Sequence, residues 1–163
     1  MSVARWPILL LALAAAGPAS AANTIMGEQV APRQNAESRP ITSSVRSLYV
    51  LHCAGCHGMD GAGAKAGNVP DMRHLGNFLR LPGGRSFVIS VPGVMGSGLS
   101  DQQVADVTNW LLATLAKASV PESHQPYDAV EVRRARAVPL VDVAGARSQL
   151  ALQARERGVT IDY

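Results

Sequence analysis

Apolar positions recur at three- and four-residue steps along most of this chain, and that spacing predicts helices. Over residues 41–53, Val45, Leu48, Tyr49 and His52 share one face, and Thr42 or Ser43 stands where a cap is needed. Residues 99–118 carry the clearest pattern. Ser100 is placed as N-cap, Asp101 in the first turn and Gln103 for a capping box. Val104, Val107, Leu111 and Leu115 then run along one face with Trp110 beside them, and Tyr49 is the expected point of contact with the first helix. A short helical stretch is predicted over 73–81, ended by Pro82-Gly83-Gly84. Residues 85–91 are ambiguous: Phe87, Val88, Ile89 and Val91 suit a strand by propensity, and equally one short buried helix. Pro92-Gly93 closes that segment, and Met95 falls in the loop after it.

Beyond residue 119 the pattern continues. A linker over 119–126 leads to a short helix over 127–136 and a second from Pro139 or Leu140 to Arg157, with Gly158 as its stop. Leu140, Val143, Ala144, Leu150, Ala151 and Ala154 form an alanine-rich stripe on that last helix, suited to close packing. The whole predicts an all-α fold without internal repeats.

The N-terminal part differs. Residues 1–21 read as a secretory leader: Arg5 gives a positive start, an apolar run over 8–16 follows, Pro18 breaks it, and Ala19-Ser20-Ala21 is a small-residue cleavage signal. The run is too short to span a bilayer of ~30 Å, and no later segment is apolar enough to do so. Residues 22–40 are polar, contain Pro32 and Pro40, and read as a flexible linker.

Charge narrows the partners. A net charge of +3 with no long basic run gives no footprint for nucleic acid. The arginines of the last third, Arg133, Arg134, Arg136, Arg147, Arg155 and Arg157, are offset by acids such as Glu131, Asp142 and Glu156, and predict a mixed, solvated helix face.

The chemistry is concentrated in Cys53-Ala54-Gly55-Cys56-His57. Two thiols two residues apart, with a histidine directly after, is the spacing of c-type haem attachment. Each thiol adds across one vinyl group, and the histidine then lies under the iron as proximal ligand. A redox dithiol would want a βαβ setting, and a zinc site would want further ligands; Cys53 and Cys56 are the only cysteines. The glycine-rich loop over 58–68 lacks the order of a phosphate loop and instead suits a tight turn against the ring. Such haem is attached outside the bacterial cytoplasm, which agrees with the leader and places the protein in the periplasm.

Residues 41–118 resemble the class I cytochrome c family. The likeness rests on Tyr49 four residues before Cys53, the Cys53/Cys56/His57 motif, the glycine-rich loop, Pro70, a methionine in a glycine-rich loop, and a closing helix opened by Leu99-Ser100-Asp101. The resemblance implies a cytochrome c domain over 41–118: a helical bundle around one covalent haem c, with first and last helices crossing. It implies that Pro70 offers its carbonyl to the ring N–H of His57. Residues 82–92 depart from the family pattern, and the helical extension over 119–163 lies outside it.

For the sixth position on the iron the candidates are Met59, Met72 and Met95. Met59 is too near His57 to reach across the ring, and Met72 stands where the family has an apolar core residue. Met95, flanked by Gly93, Gly96 and Gly98, is the best match, with His74 the alternative. The cofactor-binding set is therefore Cys53, Cys56, His57, Pro70 and Met95, with His57 and Met95 on the iron. The expected function is a periplasmic one-electron carrier and not an enzyme, with a periplasmic dehydrogenase as donor and an oxidase or another cytochrome as acceptor. The rivals are a haem enzyme with an open far face and a haem subunit docked to a larger dehydrogenase.

Overall fold

In the computed structural model, the Oγ of Ser44 accepts from the backbone N–H of Ser47 and opens helix α1, Val45–His52. The cap is thus Ser44, one residue beyond the two candidates named from sequence. The structure describes residues 44–161, which belong to one compact unit, Arg39–Tyr163. The expected leader over 1–21 and linker over 22–40 lie outside the described residues.

The described residues are all-helical, with no strand. After α1 come α2 (Ala54–His57), a 3₁₀ helix over Met72–Arg80, α3 (Gly84–Ser90), α4 (Pro92–Met95), α5 (Asp101–Ala113), a 3₁₀ turn over Lys117–Ser119, α6 (Ala129–Ala137) and α7 (Val143–Glu156). The ambiguity over 85–91 resolves as helix α3. Phe87, Val88, Ile89 and Ser90 are buried in succession, so that half of the element has no exposed face to give it a period. Its start is fixed by Gly83 at φ 81° and by Gly84, whose missing side chain lets the backbone lie against the carbonyl of Phe78.

α5 is shorter than its apolar pattern. Ser100 and Gln103 form the capping box at its start. At its end Thr114 Oγ1 donates to the Trp110 carbonyl at 2.7 Å, and the amide of Ala116 reaches back to Leu111. The Thr114 amide keeps its own bond to that carbonyl at 3.0 Å, and the ladder loosens just after it, at Ala116. Tyr49 on α1 and Trp110 on α5 are in contact, ring centroids 5.2 Å apart, which fixes the crossing of the two helices. Val104 and Ala105 are fully buried, and Val107, Leu111 and Leu112 nearly so.

The tail helices pack on this core. Val132 of α6 and Leu150 and Ala154 of α7 are buried in the same apolar cluster. Tyr127, expected inside a helix, instead precedes α6. It is buried, exchanges bonds of 2.8 and 2.9 Å with the side chain of Asn109, and donates its hydroxyl to the Arg85 carbonyl. α6 is capped by Asp128, and α7 by Asp142 rather than starting at the proline. Ala144, counted in the apolar stripe, is exposed.

The mixed, solvated face expected of the tail arginines holds for Arg133, Arg134, Arg155 and Arg157, which are exposed, but not for Arg136 and Arg147, which are half-buried. Arg136 bonds Asp101 Oδ1 at 2.6 Å and the Leu99 carbonyl at 2.7 Å, tying α6 to the start of α5. Glu131 takes a two-pronged pair from Arg85 at 2.6 and 2.7 Å, and the Arg85 guanidinium lies 4.0 Å from the Tyr127 ring centroid. These charges hold the extension onto the helical core. Alternating charge along a sequence does not reveal which members face inward.

Candidate haem site

α1 delivers the chain into α2 with scarcely a break, so Cys53, Cys56 and His57 lie on one winding turn. Both cysteines are free, Cys53 half-buried and Cys56 exposed. Burial pushes the Cys53 thiol above its ordinary range. The Tyr49 hydroxyl donates to the Gly58 carbonyl at 2.6 Å and anchors the backbone just past the histidine.

His57 is held from the far side of the loop. Its Nδ1 lies 3.0 Å from the carbonyl oxygen of Pro70. A carbonyl only accepts, so Nδ1 carries the proton and Nε2 is left as the ligating nitrogen. The loop closes on itself to make this possible. The amide of Gly63 donates to the His57 carbonyl at 2.9 Å, Ala64 and Val69 pair through both their amides, and Met72 N–H reaches the Gly61 carbonyl at 2.7 Å. Asp71, next to Pro70, accepts from the Arg73 amide and is gripped by its guanidinium at 2.6 to 3.0 Å; that hydrogen bonding holds its carboxyl below the usual range.

These residues open onto one cavity. Cys53, Cys56 and His57 form one wall; Pro70, Met72, Leu75 and Phe78 a second; and Phe87, Val88, Val91 and Val94 a third, with Leu99, Val104, Val107 and Leu111 behind. Phe78 and Phe87 stack at 5.6 Å. Two free thiols, an imidazole with its Nε2 available and a mostly apolar lining suit a flat apolar macrocycle carrying a metal. No group of three His, Cys, Asp or Glu able to hold a bare metal ion occurs among the described residues.

The structure brings Cys53, Cys56, His57 and Pro70 together. It does not bring Met95 to the cavity wall. Met95 is half-buried at the end of α4, a one-turn helix where a loop was expected, and it is Val94, with Gly93 and Ser97, that faces the cavity. Met72 does line the cavity, but it packs beside Gly61 near the Pro70 loop. Sequence reasoning missed Arg147 altogether: from α7 it reaches the same cavity, its guanidinium 5.8 Å from the Phe78 ring centroid.

A helical shell around an apolar cavity, with two thiols and an oriented histidine at one wall, defines a protein built for thioether-linked haem. No family model matches the chain. Two curated proteins do. Cytochrome c-552 of Thermus thermophilus is 30% identical over 121 residues, an alignment covering 62% of this chain and 92% of that protein. A second cytochrome c-552, from a designated strain of the same organism, is also 30% identical over 121 residues, with 82% of its length covered. The chain belongs to the class I cytochrome c family, and membership implies a covalent haem c and a cytochrome c-type electron carrier.

Proposed function

We propose that this protein is an exported periplasmic one-electron carrier, reduced by a periplasmic dehydrogenase and reoxidised by an oxidase or another cytochrome. The observation that carries the reading is the 3.0 Å contact between His57 Nδ1 and the Pro70 carbonyl, in the same cavity as Cys53 and Cys56. The haem supplies, when bound, a reversible one-electron change at its iron. The chain does the rest. Cys53 and Cys56 fix the macrocycle, and the Pro70 carbonyl orients the imidazole and strengthens it as a donor. The apolar walls exclude water, so little has to reorganise between the two charge states. Cys56 is exposed, and Leu51 and Met59, also exposed, flank the motif and give it an apolar rim for a docking partner.

Met95 is proposed as the sixth ligand, which requires α4 to turn its last residue inward. A second reading, a haem whose far face is open, is favoured by Val94 standing on the wall in place of Met95. The optical spectra of the ferric and ferrous protein separate the two. Low-spin spectra in both states, with no uptake of carbon monoxide, support the carrier with a filled sixth position. A high-spin spectrum that shifts on adding carbon monoxide or cyanide supports the open site.

A further inference from the structure

Arg147 belongs to α7, in the extension that the family pattern does not cover, yet it lines the same cavity as Cys53, Cys56 and His57. It is the only Arg or Lys on the described wall of that cavity. Its guanidinium lies 5.8 Å from the Phe78 ring centroid, and it comes from α7 rather than from the α1–α2 segment that carries the thiols. The other ionisable groups on the wall are His52, His57 and Asp71. His57 is held by Pro70, and the Asp71 carboxylate by Arg73.

A guanidinium on an apolar wall attracts an anion more strongly than one in water does. The haem implied by the site brings anions of its own. Its vinyl edge is fixed at Cys53 and Cys56, so its two propionates leave from the opposite edge, away from the thiols. We propose that Arg147 pairs with a haem propionate, which makes the tail helix α7 part of the cofactor site and a determinant of its reduction potential. The guanidinium offers a planar fork of donors that fits a carboxylate two-pronged. The inference rests on the haem reading above and would fail with it, but the experiment tells the two failures apart.

The sign follows from charge. Oxidation adds a positive charge at the iron, and a propionate favours that state. A cation paired with the propionate offsets it and favours the reduced state. Haem-loaded full-length protein is compared with Arg147→Leu and Arg147→Lys by spectroelectrochemical titration at several pH values. Arg147→Leu is expected to lower the potential, and to add a pH-dependent step as the unpaired propionate takes up a proton more readily. Arg147→Lys is expected to restore most of the wild-type value. A covalently loaded Arg147→Leu protein with an unchanged spectrum, potential and pH profile would overturn the proposal. If the leucine variant does not load haem, Arg147→Gln takes its place against Arg147→Lys, and equal potentials for the two overturn it as well. Wild-type protein that carries no covalent haem overturns the haem reading itself.

Discussion

Gly63 lies against the carbonyl oxygen of Pro70, so close that a Cβ at Gly63 would stand 2.5 Å from it. That carbonyl is the one that orients His57, and Gly63 itself, at φ +68°, donates its amide to the His57 carbonyl. One residue without a side chain thus lets the loop fold back on the ligand. Gly63→Ala is expected to cost about 2 kcal/mol or more, from the positive φ and the displaced carbonyl together. It should also weaken the imidazole as a donor and raise the potential. Thermal unfolding and a redox titration of the variant check both effects.

Asp71 gives the site an acid limit. The Arg73 side chain holds its folded-state carboxyl below the ordinary carboxylate value. A depressed carboxylate contributes stability that is present above the unfolded pKa of about 3.9 and is lost as pH falls through the lower folded value. Asp71→Asn is therefore expected to be less stable than wild type near neutrality, with the gap closing below about pH 4. Denaturation curves at neutral and acid pH measure it.

The extension is held on the helical core by the Arg85–Glu131 pair and the Tyr127 hydroxyl. The pair is two-pronged but about a third exposed, at 32% on each side chain, so solvent screening limits its worth. Glu131→Gln is expected to lower stability by about 1 kcal/mol, and Glu131→Gln with Tyr127→Phe by more. Urea denaturation gives the loss, and limited proteolysis should show cleavage moving into residues 119–161.

Met95→Ala separates the two readings of the iron's far face. If Met95 ligates, the variant loses the weak far-red sulfur-to-iron band, its potential falls, and imidazole or cyanide binds readily. An unchanged spectrum would leave the open site standing, or move the assignment to Met72, which lines the cavity.

Export rests on Arg5, the apolar run over 8–16 and Ala19-Ser20-Ala21. The mature protein is expected to begin near Ala22. N-terminal sequencing of periplasmic material checks this, and a full-length product in the cytoplasm would contradict it.

What was legible in the sequence is what neighbours in the chain can encode. The Cys53/Cys56/His57 spacing and the Ser100–Gln103 box are each complete within a few residues, and the box forms with bonds of 2.9 and 3.2 Å. The α1–α5 contact needed only one aromatic on each helix, Tyr49 and Trp110. Tertiary choices were not legible. Phe87, Val88 and Ile89 favour a strand by type, yet they lie in helix α3, and a run buried throughout carries no period by which to tell the two apart. Which of Val94 and Met95 faces inward depends on where a one-turn helix begins. Arg147 was one arginine among six in a mixed-charge tail, and only the packing of α7 singles it out.

The most direct test of the account is whether the colour of the protein is bound to the chain. Acid–acetone treatment of the denatured holoprotein, followed by intact mass, is expected to leave the pigment on the polypeptide with one haem added and neither Cys53 nor Cys56 free to react with a thiol reagent. Pigment extracted into the solvent, with both thiols titrating, would contradict it.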